Sequence, residues 1–292
     1  RVLIEMRRRG VRVDLDRAEQ VGKELKNKED KLLSQIKNWY GITPDLWAAA
    51  SVAQVFDRAG LEYPRSPKLN APSFTSAWLE SHDHKLPLAI AQARKFNKAR
   101  TTFIDKMILD HEVDGRVHGE LHPLRSDEGG TVTGRFSYSN PNLQQIPARN
   151  KDLGPMIRSL FIPEKNHKWG CFDYSQQEPR LVVHYASLFK YPSVNDVIEA
   201  YNNDTSTDFH QIVADMAEIP RDQAKTINLG LFYGMGKNKL QAELGVNKER
   251  AEELFRQYHA RVPFVKQLMD SVMARAQDRG KVRTLLGRLC RF

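Results

Sequence analysis

The chain has 292 residues, 40% hydrophobic and 28% charged, which is globular composition with room for two or three subdomains and excludes a disordered or fibrous chain. Lysine and arginine number 45 against 36 acidic residues, a formal net charge of +9, which suits a polyanionic partner and equally a solvated basic face. Cys171 and Cys290 are the only two cysteines and form no CxxC or Cys/His cluster, so zinc and disulfide frameworks are disfavoured and a reducing compartment is indicated; no apolar run spans a bilayer and no signal-peptide pattern occurs.

The chain opens on Arg1 rather than methionine and stops at Arg291-Phe292, so it is expected to be a segment of a longer protein. Gly10 reads as a helix stop, and Val11 to Val13 as a short extended piece. Residues 16 to 38 read as an amphipathic helix, with Leu25, Leu32, Leu33 and Ile36 set among dense charge. The proline-rich stretch from Gly60 to Pro72 reads as a loop. Helical patterning resumes at Ser73 and again from Pro87 to Leu109, where Arg94, Lys95, Lys98 and Arg100 make the segment basic. Asp114-Gly115-Arg116 is a turn signal, and Val117 to Pro123 alternates as a strand does. Residues 126 to 150 form a long irregular segment of the kind that carries function. Ile157 to Ile162 and Trp169 to Asp173 read as strands, and from Ser175 the chain reads as mostly helical to its end.

Three segments carry chemistry. In Trp169-Gly170-Cys171-Phe172-Asp173-Tyr174-Ser175-Gln176-Gln177-Glu178-Pro179-Arg180 an apolar strand runs into an aspartate and then a helix, with Ser175 and Glu178 spaced as a capping box. An aspartate there can hold a hard cation such as Mg²⁺; taken alone it reads as a helix cap beside a surface carboxylate. In Arg221-Asp222-Gln223-Ala224-Lys225-Thr226-Ile227-Asn228-Leu229-Gly230-Leu231-Phe232-Tyr233-Gly234, four residues recur at every fourth position. At ~100° per residue Arg221, Lys225, Leu229 and Tyr233 drift by only ~40° per step and share one helix face. Two cations on successive turns can clamp a triphosphate, and a ring can stack on a base; an amphipathic helix with exposed cations has the same pattern. Thr131 to Ser137, followed by Asn140 to Arg149, sets arginines among amides, which suits minor-groove acceptors that look alike across sequences and also suits a polar loop.

The co-occurrence of these segments in this order resembles family A, polymerase I-like DNA polymerases, over nearly the whole chain. Asp173-Tyr174-Ser175-Gln176-x-Glu178-x-Arg180 resembles motif A. Arg221-x-x-x-Lys225-x-x-x-Leu229-Gly230-x-x-Tyr233-Gly234 resembles motif B. Thr133-Gly134-Arg135 with Pro141-Asn142-Leu143-Gln144-x-Ile146-Pro147 resembles the segment that holds primer–template, and Thr284-Leu285-x-Gly287-Arg288 the return from fingers to palm. The short gap between His210 and Arg221 is similar to phage members.

The resemblance implies an α+β right-hand polymerase fold: an antiparallel-sheet palm, incomplete here, with largely helical thumb and fingers. Residues 1–16 would be a palm edge, 17–110 the thumb, 111–180 the palm with motif A, and 181–292 the fingers with motif B. It implies template-directed DNA synthesis from deoxynucleoside triphosphates on primer–template DNA, with two Mg²⁺ ions, in the cytoplasm of a bacterium or phage-infected cell. Asp173, Lys225 and Arg221 would be catalytic. Asp173 and the Tyr174 carbonyl would bind metal. Tyr174, Ser175, Gln176, Glu178, His210, Arg221, Lys225, Leu229 and Tyr233 would line the nucleotide site. Lys98, Arg100, Thr101, Arg135, Asn142, Gln144 and Arg149 would contact DNA.

Two departures stand out. Leu229 occupies a place where the family usually carries Phe or Tyr. The family's motif C, a His-Asp-Glu turn, does not occur in the sequence, so this segment alone is expected to bind DNA and to polymerise poorly or not at all; His82-Asp83-His84 reads as a loop. A proofreading exonuclease domain is not expected within this sequence and would sit upstream of Arg1; a processivity factor or helicase is a further candidate partner. A single-subunit RNA polymerase shares the Arg-x-x-x-Lys helix, but Glu178 argues against a site that admits a 2′-hydroxyl. A non-catalytic DNA-binding module derived from a polymerase is the other alternative.

Overall fold

The computed structural model of the chain describes all residues except 128, 149, 192, 193 and 292, and only the backbone of 216 and 217. It divides into two units, Arg1–Trp169 and Gly170–Phe292. Helices dominate both, and every sheet is small and antiparallel, an α+β organisation.

The first unit begins with α1 (Val2–Arg9), which buries nothing and stops at Gly10. β1 (Val11–Arg12) leads into α2 (Leu15–Tyr40), close to the helix read from the pattern. Asp14 caps α2 by accepting from the Arg17 N–H at 3.0 Å, and Gly41 in the left-handed region ends it. Ala18, Val21, Leu25 and Ile36 form its buried stripe. α3 (Ala49–Ala59), α4 (Ser76–Glu80) and α5 (Lys85–Lys98) close one core around Phe56, whose ring lies 4.8 Å from Phe74 and 5.7 Å from Trp78. The proline-rich loop and the residues that follow it cover this core by folding Tyr63 and Phe74 onto it. His84 caps α5 through the Leu86 N–H, so His82-Asp83-His84 is the loop it was read to be.

After Lys98 the helix continues as a π-helix, Ala99–Lys106. β2 (Glu112–Val113) and β3 (Arg116–Val117) form a hairpin around Asp114 and Gly115, both at positive φ (51° and 73°). That geometry is why Asp-Gly suits a two-residue hairpin. β1 adds to β3, with Val11 opposite Val117. The single strand expected from Val117 to Pro123 is broken at His118-Gly119: β3 ends, and β4 (Glu120–His122) pairs instead with β5 (Ser137–Ser139).

Ile157 to Ile162 is not a strand. Ile157 lies in the last turn of α6 (Leu153–Arg158), a turn follows, and Phe161 bridges to Val13. Ile157 and Leu160 are both fully buried in the core with Leu25 and Ile104. Their three-residue spacing is helical, and it overrides the β-branched composition.

One feature of α2 lies outside any apolar pattern. Glu29 falls on the buried stripe and is 4% exposed. Its Oε1 accepts from Asn97 Nδ2 at 3.0 Å, and Arg100 Nη2 lies 3.7 Å from Oε2. Arg100 also binds Asp105 at 2.7 Å, which bridges α2 to the π-helix. Removing one partner of a buried charge leaves the other uncompensated. Lys26 Nζ, 3.8 Å from Glu29 Oε1, would compensate the carboxylate only in part, so Arg100→Ala is expected to destabilise the protein by about 3 kcal/mol, the low end for a broken buried pair. Adding Glu29→Gln should recover part of that loss in urea unfolding; no recovery would show that the charge is not the cause.

In the second unit α7 (Gln177–Leu188), α8 (Asn195–Asn203), α9 (Phe209–Ala217), α10 (Arg221–Phe232), α11 (Lys237–Leu244), α12 (Lys248–Arg261) and α13 (Pro263–Arg279) surround a core containing Val183, Phe209, Val213, Ile227, Leu231, Tyr258 and Phe264. The end is not helical: β6 (Lys281–Arg283) and β7 (Leu289–Arg291) form a hairpin through Thr284 to Arg288. Among the described residues, no helix is long and apolar enough to cross a membrane.

Candidate active site

Residues 169 to 174 carry no strand ladder, which corrects the strand expected from Trp169 to Asp173. A strand needs a partner, and among the described residues none pairs with this segment; Phe172 is 97% exposed and Tyr174 81%. The capping box is also absent. α7 begins at Gln177, its N-cap is Gln176, and no side chain caps it. Gln176 instead takes the left-handed conformation at φ 53°.

The reason lies in distant partners of the Gln176 amide. Its Nε2 donates to the Thr207 carbonyl at 2.8 Å, while its Oε1 accepts from the Phe209 N–H at 2.8 Å and the Tyr201 hydroxyl at 3.3 Å. Arg180 reinforces the link. It donates to the carbonyls of Ser175 and Thr205 at 3.1 and 2.8 Å, and its guanidinium lies 4.4 Å from the centroid of the Tyr201 ring. Burial pushes the Tyr201 hydroxyl pKa up to about 12, so it stays a donor. Gln176 and Arg180 thus tie the turn after Asp173 to the loop that launches α9.

That loop ends at Asp208. Its Oδ1 caps α9 by accepting from the His210 and Gln211 N–H groups, and its Oδ2 accepts from Arg221 Nε at 2.6 Å. Burial raises the Asp208 pKa, but the Arg221 guanidinium and the capping N–H groups outweigh it and hold the carboxyl below its ordinary range. Sequence reading missed Asp208, although an aspartate just before Phe-His-Gln-Ile-Val is an N-cap signal.

α10 buries Ala224, Ile227, Asn228 and Leu231. The opposite strip, Arg221, Lys225 and Leu229, is left facing a cavity of about 530 Å³. Asp173, Tyr174, Ser175, Gln176 and Glu178 line its other side, together with His210. Tyr233 continues the strip, and its hydroxyl donates to Glu178 Oε1 at 3.3 Å. Every candidate catalytic and nucleotide residue is therefore gathered at this one place in the second unit. Lys225 is exposed and forms no ion pair among the described residues.

The candidate DNA contacts lie in the first unit. Lys98 and Arg135 are exposed; Arg100 is engaged with Glu29 and Asp105 as described. Thr101 Oγ1 donates back to the Asn97 carbonyl at 2.9 Å. Asn142 caps a short 3₁₀ turn through the Gln144 N–H, and Gln144 Nε2 donates to the Phe136 carbonyl at 3.1 Å. Arg149 lies outside the described residues.

Residues 15–292 match the profile of DNA polymerase family A. The chain is 36% identical to a DNA-directed DNA polymerase of Pseudomonas phage M6, over all of this chain and 51% of that protein. It is 33% identical to DNA polymerase DpoZ of Acinetobacter phage SH-Ab 15497, over all of this chain and 53% of that one. The fold is similar to that of the POL domain of Pol1 from M. smegmatis, solved in complex with DNA primer-template and dNTP, at a TM-score of 0.80 and 27% identity, covering 99% of this chain and 51% of that one. The chain spans about half the length of these relatives. With the profile covering nearly its whole length, the chain belongs to DNA polymerase family A.

Proposed function

We propose that the full-length polypeptide carrying this sequence adds deoxynucleotides to a primer 3′ end under the direction of a DNA template. The observation that carries this reading is the cavity in which Asp173 faces Arg221, Lys225 and His210: one carboxylate for a cation, and a cationic strip for a triphosphate. Phosphoryl transfer is mostly positioning and charge neutralisation, and such a set is part of what that reaction needs.

The reaction calls for a divalent cation. Among the described residues, no group of three or more His, Cys, Asp or Glu side chains converges on a metal position. Mg²⁺ is commonly held by one or two carboxylates, with substrate phosphates and water completing its shell. Asp173, exposed at the cavity, fits as one such carboxylate, and the Tyr174 carbonyl as a further oxygen; they are a partial set for two ions. Bound there, the metal would neutralise charge at the reacting phosphate.

The remaining roles belong to side chains. Arg221 and His210 would hold the outer phosphates, with Arg221 exchanging Asp208 for phosphate. Lys225 would contact the phosphates and donate a proton from Nζ to the leaving pyrophosphate. Glu178, steadied by Tyr233, would fill the space beside the sugar 2′ carbon, and Tyr233 would pack by the templating base. Lys98, Arg100, Thr101, Arg135, Asn142 and Gln144 would track the duplex, which gives sequence-blind, salt-dependent affinity. Residues 17–110 would form the thumb, 1–16 and 111–180 the palm, and 181–292 the fingers.

The test is single-nucleotide primer extension by the full-length polypeptide in Mg²⁺. Template-matched extension supports the reading. Tight primer–template binding without extension would favour a DNA-binding module instead. At the sugar, Leu229→Phe replaces a flexible aliphatic by a flat ring worth about 0.5–1.5 kcal/mol in stacking. A change of about 3- to 10-fold is expected in incorporation rate or in dideoxynucleotide discrimination. Unchanged values of both would remove Leu229 from the sugar contact.

A further inference from the structure

His210 lines the cavity from the first turn of α9 and is only 4% exposed. Its Nδ1 lies 2.9 Å from Nδ2 of Asn228, which is fully buried on the core face of α10 beside Leu229. A buried amide is costly where an apolar side chain would pack, and its one side-chain hydrogen bond among the described residues is to this imidazole. We infer that Asn228 clamps His210 as the neutral Nε2–H tautomer, so that the ring presents a hydrogen-bond donor to the phosphates of a nucleotide in the cavity. The ligand in this inference rests on the polymerase reading; the tautomer does not.

The charged groups facing the ring are Asp208 at the start of α9, Arg221 and Lys225 on α10, and Glu178 on α7. Burial is the largest influence and depresses the imidazole pKa; the two carboxylates oppose it, the two cations assist it, and the net direction is down. The ring is therefore neutral at pH 7, with one donor nitrogen and one acceptor.

Two arrangements satisfy the Nδ1 contact. In one, Asn228 Nδ2 donates one N–H to Nδ1, and Asn228 Oδ1 and the second N–H are left without a partner among the described residues, one stranded donor against two in the alternative. In the other the amide is turned over, Nδ1–H donates to Oδ1, and a buried NH₂ with two donors is stranded. Buried oxygens are under-satisfied more often than N–H groups are orphaned, which selects the first. Nε2 then carries the proton. It has no partner among the described residues, and its ring shares the cavity wall with Arg221 and Lys225. The opposite tautomer would aim a lone pair at phosphate oxygens.

Long-range ¹H–¹⁵N spectra of the full-length polypeptide, labelled at histidine and assigned with His210→Ala, test the clamp near neutral pH without nucleotide. Nε2 should be protonated and Nδ1 not; a protonated Nδ1 overturns the inference. Calorimetric titration with a deoxynucleoside triphosphate tests the consequence. Asn228→Leu should weaken binding about tenfold, the worth of one hydrogen bond to a charged group, and should cost nothing further in a His210→Ala background. Asn228→Asp would make the ring an imidazolium that still donates from Nε2. Its binding should match the wild type at low pH and fall as pH rises through the raised imidazole pKa. Unchanged affinity in a folded Asn228→Leu protein overturns the phosphate role; should that variant not fold, a pH-independent Asn228→Asp does so. A wild type with the expected tautomer that binds no nucleotide would sink the polymerase reading and leave the clamp standing.

Discussion

Asp173→Ala is expected to reduce primer extension by the full-length polypeptide about 10⁴-fold or more while primer–template affinity changes less than about threefold. The first figure follows from the several kcal/mol of charge stabilisation a bound cation supplies, at 1.36 kcal/mol per decade of rate. The second follows from where the residue sits. Asp173 is an exposed carboxylate on the cavity wall, makes no ion pair among the described residues, and belongs to no buried cluster. Its removal should leave the fold untouched, because what anchors the turn behind it is the Gln176 amide and the Arg180 guanidinium. Asp173→Asn keeps the shape and removes the charge, and should fall as far as alanine. Extension by either variant within about tenfold of wild type would take Asp173 out of the reaction, since loss of a needed ligand costs several times that.

What the sequence made legible divides along a physical line. Features set by local pattern could be read: α2 from its apolar stripe, the turn at Asp114-Gly115 though not the hairpin it closes, and the α10 strip from residues four apart. The motif residues of the cavity were read because their types and order are long enough to be specific, and α10 and the 173–180 turn do line one cavity. Features set by remote partners could not be read. The capping box expected of Ser175 and Glu178 gives way to a left-handed turn at Gln176, because Tyr201, Thr207 and Phe209 engage the Gln176 amide. Glu29 occupies a core position because Asn97 and Arg100 meet it from another helix. The apolar run from Trp169 shows the same limit from the other side. Its composition favours a strand, but a strand exists only where a neighbour supplies the ladder. Asn228 carries no signal in the sequence because it lies on the core side of the helix whose other side carries the candidate chemistry, and its hydrogen bond with His210 is what gives it a role.

Lys225→Ala should lower the incorporation rate by about 10²–10⁴, the range for loss of a positioned proton donor, and should also weaken nucleotide binding. The more telling variant is Lys225→Arg. Arg221 shares its charge with Asp208 at 2.6 Å, whereas Lys225, one turn later on the same face, has no carboxylate partner among the described residues. Lys225 is thus the cation already free to meet a triphosphate. If its work is charge alone, arginine replaces it and both affinity and rate persist. If it passes a proton to the leaving pyrophosphate, arginine fails, because a guanidinium does not give up its proton in a protein. The expected result is the second: nucleotide affinity within about threefold of wild type, with the single-turnover rate down about 100-fold. A rate near wild type for Lys225→Arg would assign the residue to charge neutralisation, and proton delivery to the pyrophosphate would then fall to solvent.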